Sequence, residues 1–284
     1  MLRRRGLSIV ASILLASCTL LTGANELQTI EPVDTGTEAP DGAIEPEPDA
    51  AIPIDGGADV FDASLDANGT CISPNLVARW KLDEGSGTFV NDCTENAING
   101  VFFTDGGGVA WVSGKTGTAL VLDGGYVGFG DPAKLRLTGA ITVTAWVKPA
   151  ANGPTTTQYF VGKTRNNGTR GWRLGTQDRG DLWMTVSGGD AACGSQGTGA
   201  LPLDGTWVHV AGVFRPGAAV EAYAAGSRVA IDSSGVPTSI NDQGDEVRIG
   251  IRGDGTLPFV GAIDDIQIYD RALSATEIQQ LATE

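Results

Sequence analysis

The sequence has one histidine, two methionines and four cysteines in 284 residues, and aromatic side chains make up only 6% of it. One histidine excludes a metal centre built from several imidazoles. It also leaves a Ser-His-Asp mechanism a single possible base, His209. That residue lies in Trp207-Val208-His209-Val210-Ala211-Gly212-Val213-Phe214, an apolar strand pattern. It therefore reads as a structural histidine bonded to a neighbouring strand or loop. Positive charge is scarce as well. The formal net charge is −15, and no stripe of Lys and Arg marks a nucleic-acid surface. Helical spacing of apolar residues is missing everywhere before the C-terminus.

The acidity is uneven. Residues 25–70 carry twelve acids and no Lys or Arg, whereas the chain from Cys71 onward carries 22 acids and 16 bases. The segment 18–70 is dominated by Pro, Gly, Ala and acids. Such a composition buries too little apolar surface to offset chain entropy, and its like charges keep it extended. A disordered acidic tether is expected there. Its recurrent aspartates lack the spacing of a calcium-binding loop. Ahead of it, Arg3–Arg5 and the apolar Leu7–Ala16 form an export signal, too short for a stable membrane span. Leu15-Ala16-Ser17-Cys18 resembles a bacterial lipobox. The resemblance implies a signal peptide over residues 1–17, lipidation of Cys18, and a lipid anchor as the chain's sole attachment to membrane. Thr19 in place of Asp is compatible with sorting to the outer membrane. An ordinary secretory signal with a chance cysteine is the alternative.

Glycine is plentiful, at 41 residues. Between the glycines lie about a dozen short runs with strand character, which suits an antiparallel sandwich or jelly roll. Leu76, Ala78, Trp80 and Leu82 share one face of a strand, with Arg79 and Lys81 on the other. Ile141-Thr142-Val143-Thr144-Ala145-Trp146-Val147-Lys148 alternates equally well, and Trp146 falls off its apolar parity. Cys71 and Cys93 flank an expected hairpin that turns at Asp83–Gly87. An exported domain keeps disulfides, and Cys71–Cys93 is the favoured pair. Cys193 is then free, or pairs with one of them instead. The last strand and helix, Gly261–Glu284, put Asp264 on the face of Ile266 and Ile268 and point Asp265 the other way. Ser274 and Glu277 form a capping box for the closing helix.

The set LVARWKLDEGSGTFVNDCTENAINGVF, GTALVLDGGYVGFGD, LTGAITVTAWVKP, YFVGKT, GTWVHVAGVF, VEAYAAGSRVA and VGAIDDIQIYDRALSATEI, in this order, resembles the LamG-like jelly-roll family of the concanavalin A-like lectin/glucanase superfamily. It implies an all-β, antiparallel two-sheet jelly-roll sandwich over residues 71–284 with a short C-terminal helix. Members bind glycans, adhere to proteins or space catalytic domains. The glucanase branch carries Glu-x-Asp-x-x-Glu on one strand, and this chain has no such run. The expectation is a non-catalytic exported surface lipoprotein of the cell envelope that binds glycan or an envelope protein. A secreted glycan-active hydrolase and a purely structural envelope protein are the alternatives. Resemblance to calcium-bearing jelly rolls pairs Asp92 with Asp264 around a structural Ca²⁺. The bland alternative is that Asp264 accepts backbone amides and Asp92 caps a turn. Trp146 and Trp172 are the expected ligand contacts, with Trp183 and Tyr159 beside them on the middle strands.

Overall fold

A computed structural model describes residues 64–66, 69–151, 153, 155–165, 169–178, 180–189 and 192–284. The export signal, Cys18 and nearly all of the acidic segment lie outside the described residues. The described residues begin a little before the expected boundary at residue 71. Strand β1 (Ser64–Leu65) pairs with β2 (Cys71–Ile72).

The chain continues as β3 (Leu76–Trp80), β4 (Phe89–Val90), β5 (Gly100–Phe103), β6 (Gly108–Ser113), β7 (Thr118–Asp123) and β8 (Tyr126–Gly128). After a 3₁₀ turn come β9 (Ile141–Pro149), β10 (Gln158–Lys163), β11 (Trp172–Thr176), β12 (Leu182–Ser187) and β13 (Ala192–Gly197). The last elements are β14 (Val208–Arg215), β15 (Ala219–Ala224), β16 (Ser227–Asp232), β17 (Val247–Ile249), β18 (Val260–Tyr269) and helix α1 (Ala275–Leu281). One sheet runs β13-β12-β11-β10-β17-β8-β5-β4. The other runs β16-β15-β14-β9-β18-β7-β6, with β3 also paired to β18. All the strand pairs are antiparallel, as the jelly-roll expectation requires.

Alternation explains the core. Ile141, Val143, Ala145 and Val147 of β9 point inward, as do Trp172 and Leu174 of β11 and Leu182, Met184 and Val186 of β12. From the first segment, Ala78, Trp80 and Leu82 are fully buried. Trp80 donates through Nε1 to the Ile98 carbonyl at 2.7 Å and packs its ring against Phe129. Each such side chain contributes about 1.5–3 kcal/mol on burial. A second, smaller apolar cluster sits under α1, where Ile278 and Leu281 cover Ala211, Val213 and Tyr223. The expected capping box is present, with both the Ser274 and Glu277 bonds formed.

The disulfide joins Cys71 to Cys93 as expected, but the hairpin invoked for it does not form. Strand β3 pairs with β18, whereas β4 pairs with β5 in the opposite sheet. The two cysteines meet because the loop after β4 runs back beside β3, with Cys93 N donating to the Arg79 carbonyl and Cys71 N to that of Cys93. Cys193 is buried and forms no disulfide.

Candidate functional site

The closing strand β18 breaks its own alternation. From Asp264 to Gln267 it takes three steps where its partner β9 takes two, from Trp146 to Thr144. Asp265 absorbs the extra residue at φ 39°. This is a β-bulge, and a bulge re-aims the side chains around it. Strict period two expected Asp264 and Asp265 on opposite faces, with Asp264 beside Ile266. Instead Ile263, Ile266 and Ile268 take the core positions, and both aspartates line one cavity outside the core.

That cavity has a volume of about 190 Å³, and Trp146, Lys115, Arg79 and Lys81 complete its walls with the acids Asp83 and Glu284. Trp146 and Asp264 are direct cross-strand partners, and His209 is the partner of Trp146 on its other side. Asp264 is 2% exposed. Its Oδ2 accepts from Lys115 N and Thr116 N, and its Oδ1 from Asp265 N. Burial pushes its pKa up to about 7, against the opposing pull of these amides. A Cβ on Gly114 would lie 2.6 Å from Oδ2, so the turn approaches this closely only because residue 114 is glycine. The turn so held carries Lys115, whose ammonium sits 4.2 Å from the Trp146 ring centroid. On the opposite side the His209 ring meets Trp146 edge-on at 5.5 Å. Asp265 clamps Arg79 with two bonds of 2.7 and 3.0 Å. The chain's own groups therefore fill this cavity's walls and cover the Trp146 ring.

Asp92 belongs to a separate network. Its Oδ1 accepts from Arg79 N and Thr94 N, and its Oδ2 from Thr94 Oγ1 and Ile98 N. A carboxylate oxygen has two lone pairs, so four donors leave none for a cation. No group of three or more His, Cys, Asp or Glu among the described residues is placed to hold a metal ion. The donor set does not fit the expected Asp92–Asp264 calcium. Asp92 organises the loop after β4, and Asp264 holds the Gly114–Gly117 turn.

Trp172, expected at a ligand, is in the core and 1% exposed. Its strand parity places it with Leu174, and the intervening Arg173 takes the other face. That outer face gathers a different set of residues. Tyr159 pairs with Gly175, and Gly175 pairs with Trp183. Because residue 175 has no side chain, the two rings meet across the middle strand, edge to face at 5.5 Å. The glycine is also required by the backbone, since a Cβ there would lie 2.2 Å from the Gln158 carbonyl oxygen.

Arg173, two residues earlier on the same face, lays its guanidinium 4.9 Å from the Trp183 ring and 6.0 Å from that of Tyr159. Arg252 also approaches Tyr159, at 6.0 Å. It is held by Asp254, whose carboxyl pays desolvation but is drawn down to about 2 by bonds from Arg252 and Thr256. The face continues through Arg248, 4.5 Å over Tyr126, and Tyr126 stacks on Phe103 at 4.7 Å.

Two donors on this face are unsatisfied: Trp183 Nε1 and Arg173 Nε are buried without a hydrogen-bond partner. An unmade bond of this kind costs about 1–3 kcal/mol, and neither N–H has surface of its own: Trp183 is 6% and Tyr159 3% exposed, so the reachable part of this cluster is the half-buried Arg173 side chain. Burial, with the nearby Arg252 charge, lowers the Arg173 pKa from its ordinary value. Tyr159 and Trp183 were legible as middle-strand aromatics. Arg173 was missed, and its only signal is its position two residues before Gly175.

A family model described as the concanavalin A-like lectin/glucanases superfamily matches residues 122–279. Among curated proteins, the chain is 28% identical over 147 residues to adhesion G-protein coupled receptor V1 of Danio rerio, covering 49% of this chain and 2% of the receptor. The chain thus spans a small fraction of that relative's length. Among solved structures, domain 4 of AbnA, an extracellular arabinanase from Geobacillus stearothermophilus, in complex with arabinotriose, is 25% identical with a TM-score of 0.58. The match covers 73% of this chain and 98% of that one. The binding domain of Paraclostridial Mosquitocidal Protein 1 matches at 18% identity and TM-score 0.58, covering 73% of this chain and 52% of that one. The latter likeness is one of fold.

Proposed function

The chain belongs to the concanavalin A-like lectin/glucanase superfamily, and from that membership we propose that it is a non-catalytic glycan-binding module of an exported lipoprotein. The observation that carries the reading is the outer face of β10–β12, where the half-buried Arg173 lies over the Trp183 and Tyr159 rings with no carboxylate partner among the described residues. Sugars present hydroxyl acceptors and apolar ring faces, and a guanidinium laid on an aromatic pair offers N–H donors beside apolar surface. The likeness to the arabinanase domain seen with arabinotriose points the same way. Lipidation at Cys18, with residues 18–70 as a tether, would present the module at the cell envelope, most simply the outer membrane. A stretch of that length reaches up to ~3.3 Å per residue.

The non-catalytic part rests on the acids. A retaining glycosidase needs two free carboxyl groups about 5 Å apart. Asp264 and Asp265 share a cavity, but backbone amides occupy the first and Arg79 the second. A protein ligand is the second reading, favoured by Phe89 and Val101, an exposed cross-strand apolar pair at the end of the same sheet. The test is a glycan array probed with the full chain. Binding that is lost in Trp183→Ala supports the glycan reading. A blank array with capture of a purified envelope protein through Phe89 would favour the second.

A further inference from the structure

Arg173 differs from the other arginines on its face. Arg252 is paired with Asp254, and Arg248 with Glu246. Among the described residues, no carboxylate pairs with Arg173. The groups that act on its charge are the Tyr159 phenol and the like-charged Arg252. Its remaining contacts are the ring faces of Trp183 and Tyr159. The nearby Asp181 is engaged elsewhere, by Gln196 and by the Gly199 amide. A half-buried guanidinium without a counter-ion, on a fold that is acidic overall, is a site made for an anion.

Resting on the glycan reading, we infer that the ligand is an acidic sugar whose anionic group, a uronate carboxylate or a sulfate ester, is taken by the Arg173 guanidinium between Tyr159 and Trp183. The planar fork of arginine donates two parallel N–H bonds to such a group. Arg248 lies in register with Gly162, which in turn is in register with Arg173. The two arginines are thus two strands apart, about 9.6 Å, on one face. Arg248 is already held by Glu246, so the anion's place is at Arg173.

The test is calorimetric titration of the full chain with three neutral-backbone-matched probes: a galacturonate trimer, its methyl ester, and a sulfated neutral trimer. The galacturonate trimer is expected to bind at least tenfold tighter than its ester, and affinity to fall steeply with added salt. The sulfated trimer separates the two sources of anion, since preference for it assigns a sulfate ester rather than a carboxylate. Arg173→Met is expected to erase the acid preference, and Arg173→Lys to retain part of it, in variants that keep the wild-type melting temperature. If the ester and the acid bind equally and Arg173→Met changes neither, the inference is overturned while glycan binding stands. If no trimer of any kind binds, the glycan reading itself fails.

Discussion

Trp146 lies between two buried groups whose titrations oppose each other. Asp264 titrates near 7 in the fold against 3.8 ordinarily. Between those values the folded protein holds a proton that the unfolded chain has released, so this contribution to stability falls as pH rises. Burial lowers His209 to about 4 from 6.5. In that window the unfolded chain holds the extra proton, and stability rises with pH. Each effect is worth at most about 3–4.5 kcal/mol, and less where water screens it. The wild-type protein is therefore expected to show a nearly level urea stability between pH 4 and 6.5. Asp264→Asn should expose a rise across that range, and His209→Phe a fall. Identical profiles for all three proteins would refute the assignment. At Asp92, four donors converge on two oxygens. Asp92→Ala should cost about 3 kcal/mol or more in chemical denaturation, because those buried donors are orphaned together.

At the scale of the element, most strands, including the edge strands β4 and β16, were readable, and the irregularities were not. The alternation of Ile141–Val147 correctly put Trp146 outside the core, and the capped terminal helix is where Ser274 and Glu277 place it. Strands β6 and β13 escaped notice because Gly108–Ser113 and Ala192–Gly197 lack a clear alternation of apolar residues. The bulge at Asp265 was equally hidden. Period-two reasoning assumes an unbroken ladder, and a single inserted residue shifts every later side chain.

Two element-level links deserve direct tests. Lys163 is 1% exposed and joins the end of β10 to Asp131 and Asp242 on two separate loops, at 2.9 and 2.7 Å. Lys163→Met should lower stability by about 3 kcal/mol, since it leaves the buried Asp242 without its cation while Asp131 keeps Arg136. The Cys71–Cys93 bridge spans a sequence separation of 22. Reducing it should cost about 3 kcal/mol through the loop it closes in the unfolded chain. A melting temperature unaffected by reductant would contradict that.

For the whole molecule, the sandwich puts its two outer faces to different uses. On the sheet of β9 and β18, α1 and the cavity's own charged groups occupy the outer side. On the other sheet, Arg173 lies over Tyr159 and Trp183 with no carboxylate partner among the described residues. The segment order sufficed to identify the fold. The ligand face was only half legible, since a tryptophan's role depends on which side of a sheet it takes. One residue of parity sends Trp172 inward and Arg173 outward. The central claim is that the outer face of β10–β12, and not the Trp146 cavity, binds glycan. Titration of the full chain with an array-identified oligosaccharide, alongside Trp183→Ala and Trp146→Ala, tests it most directly. The account predicts binding lost in the first variant and kept in the second; loss in Trp146→Ala with binding intact in Trp183→Ala would contradict it.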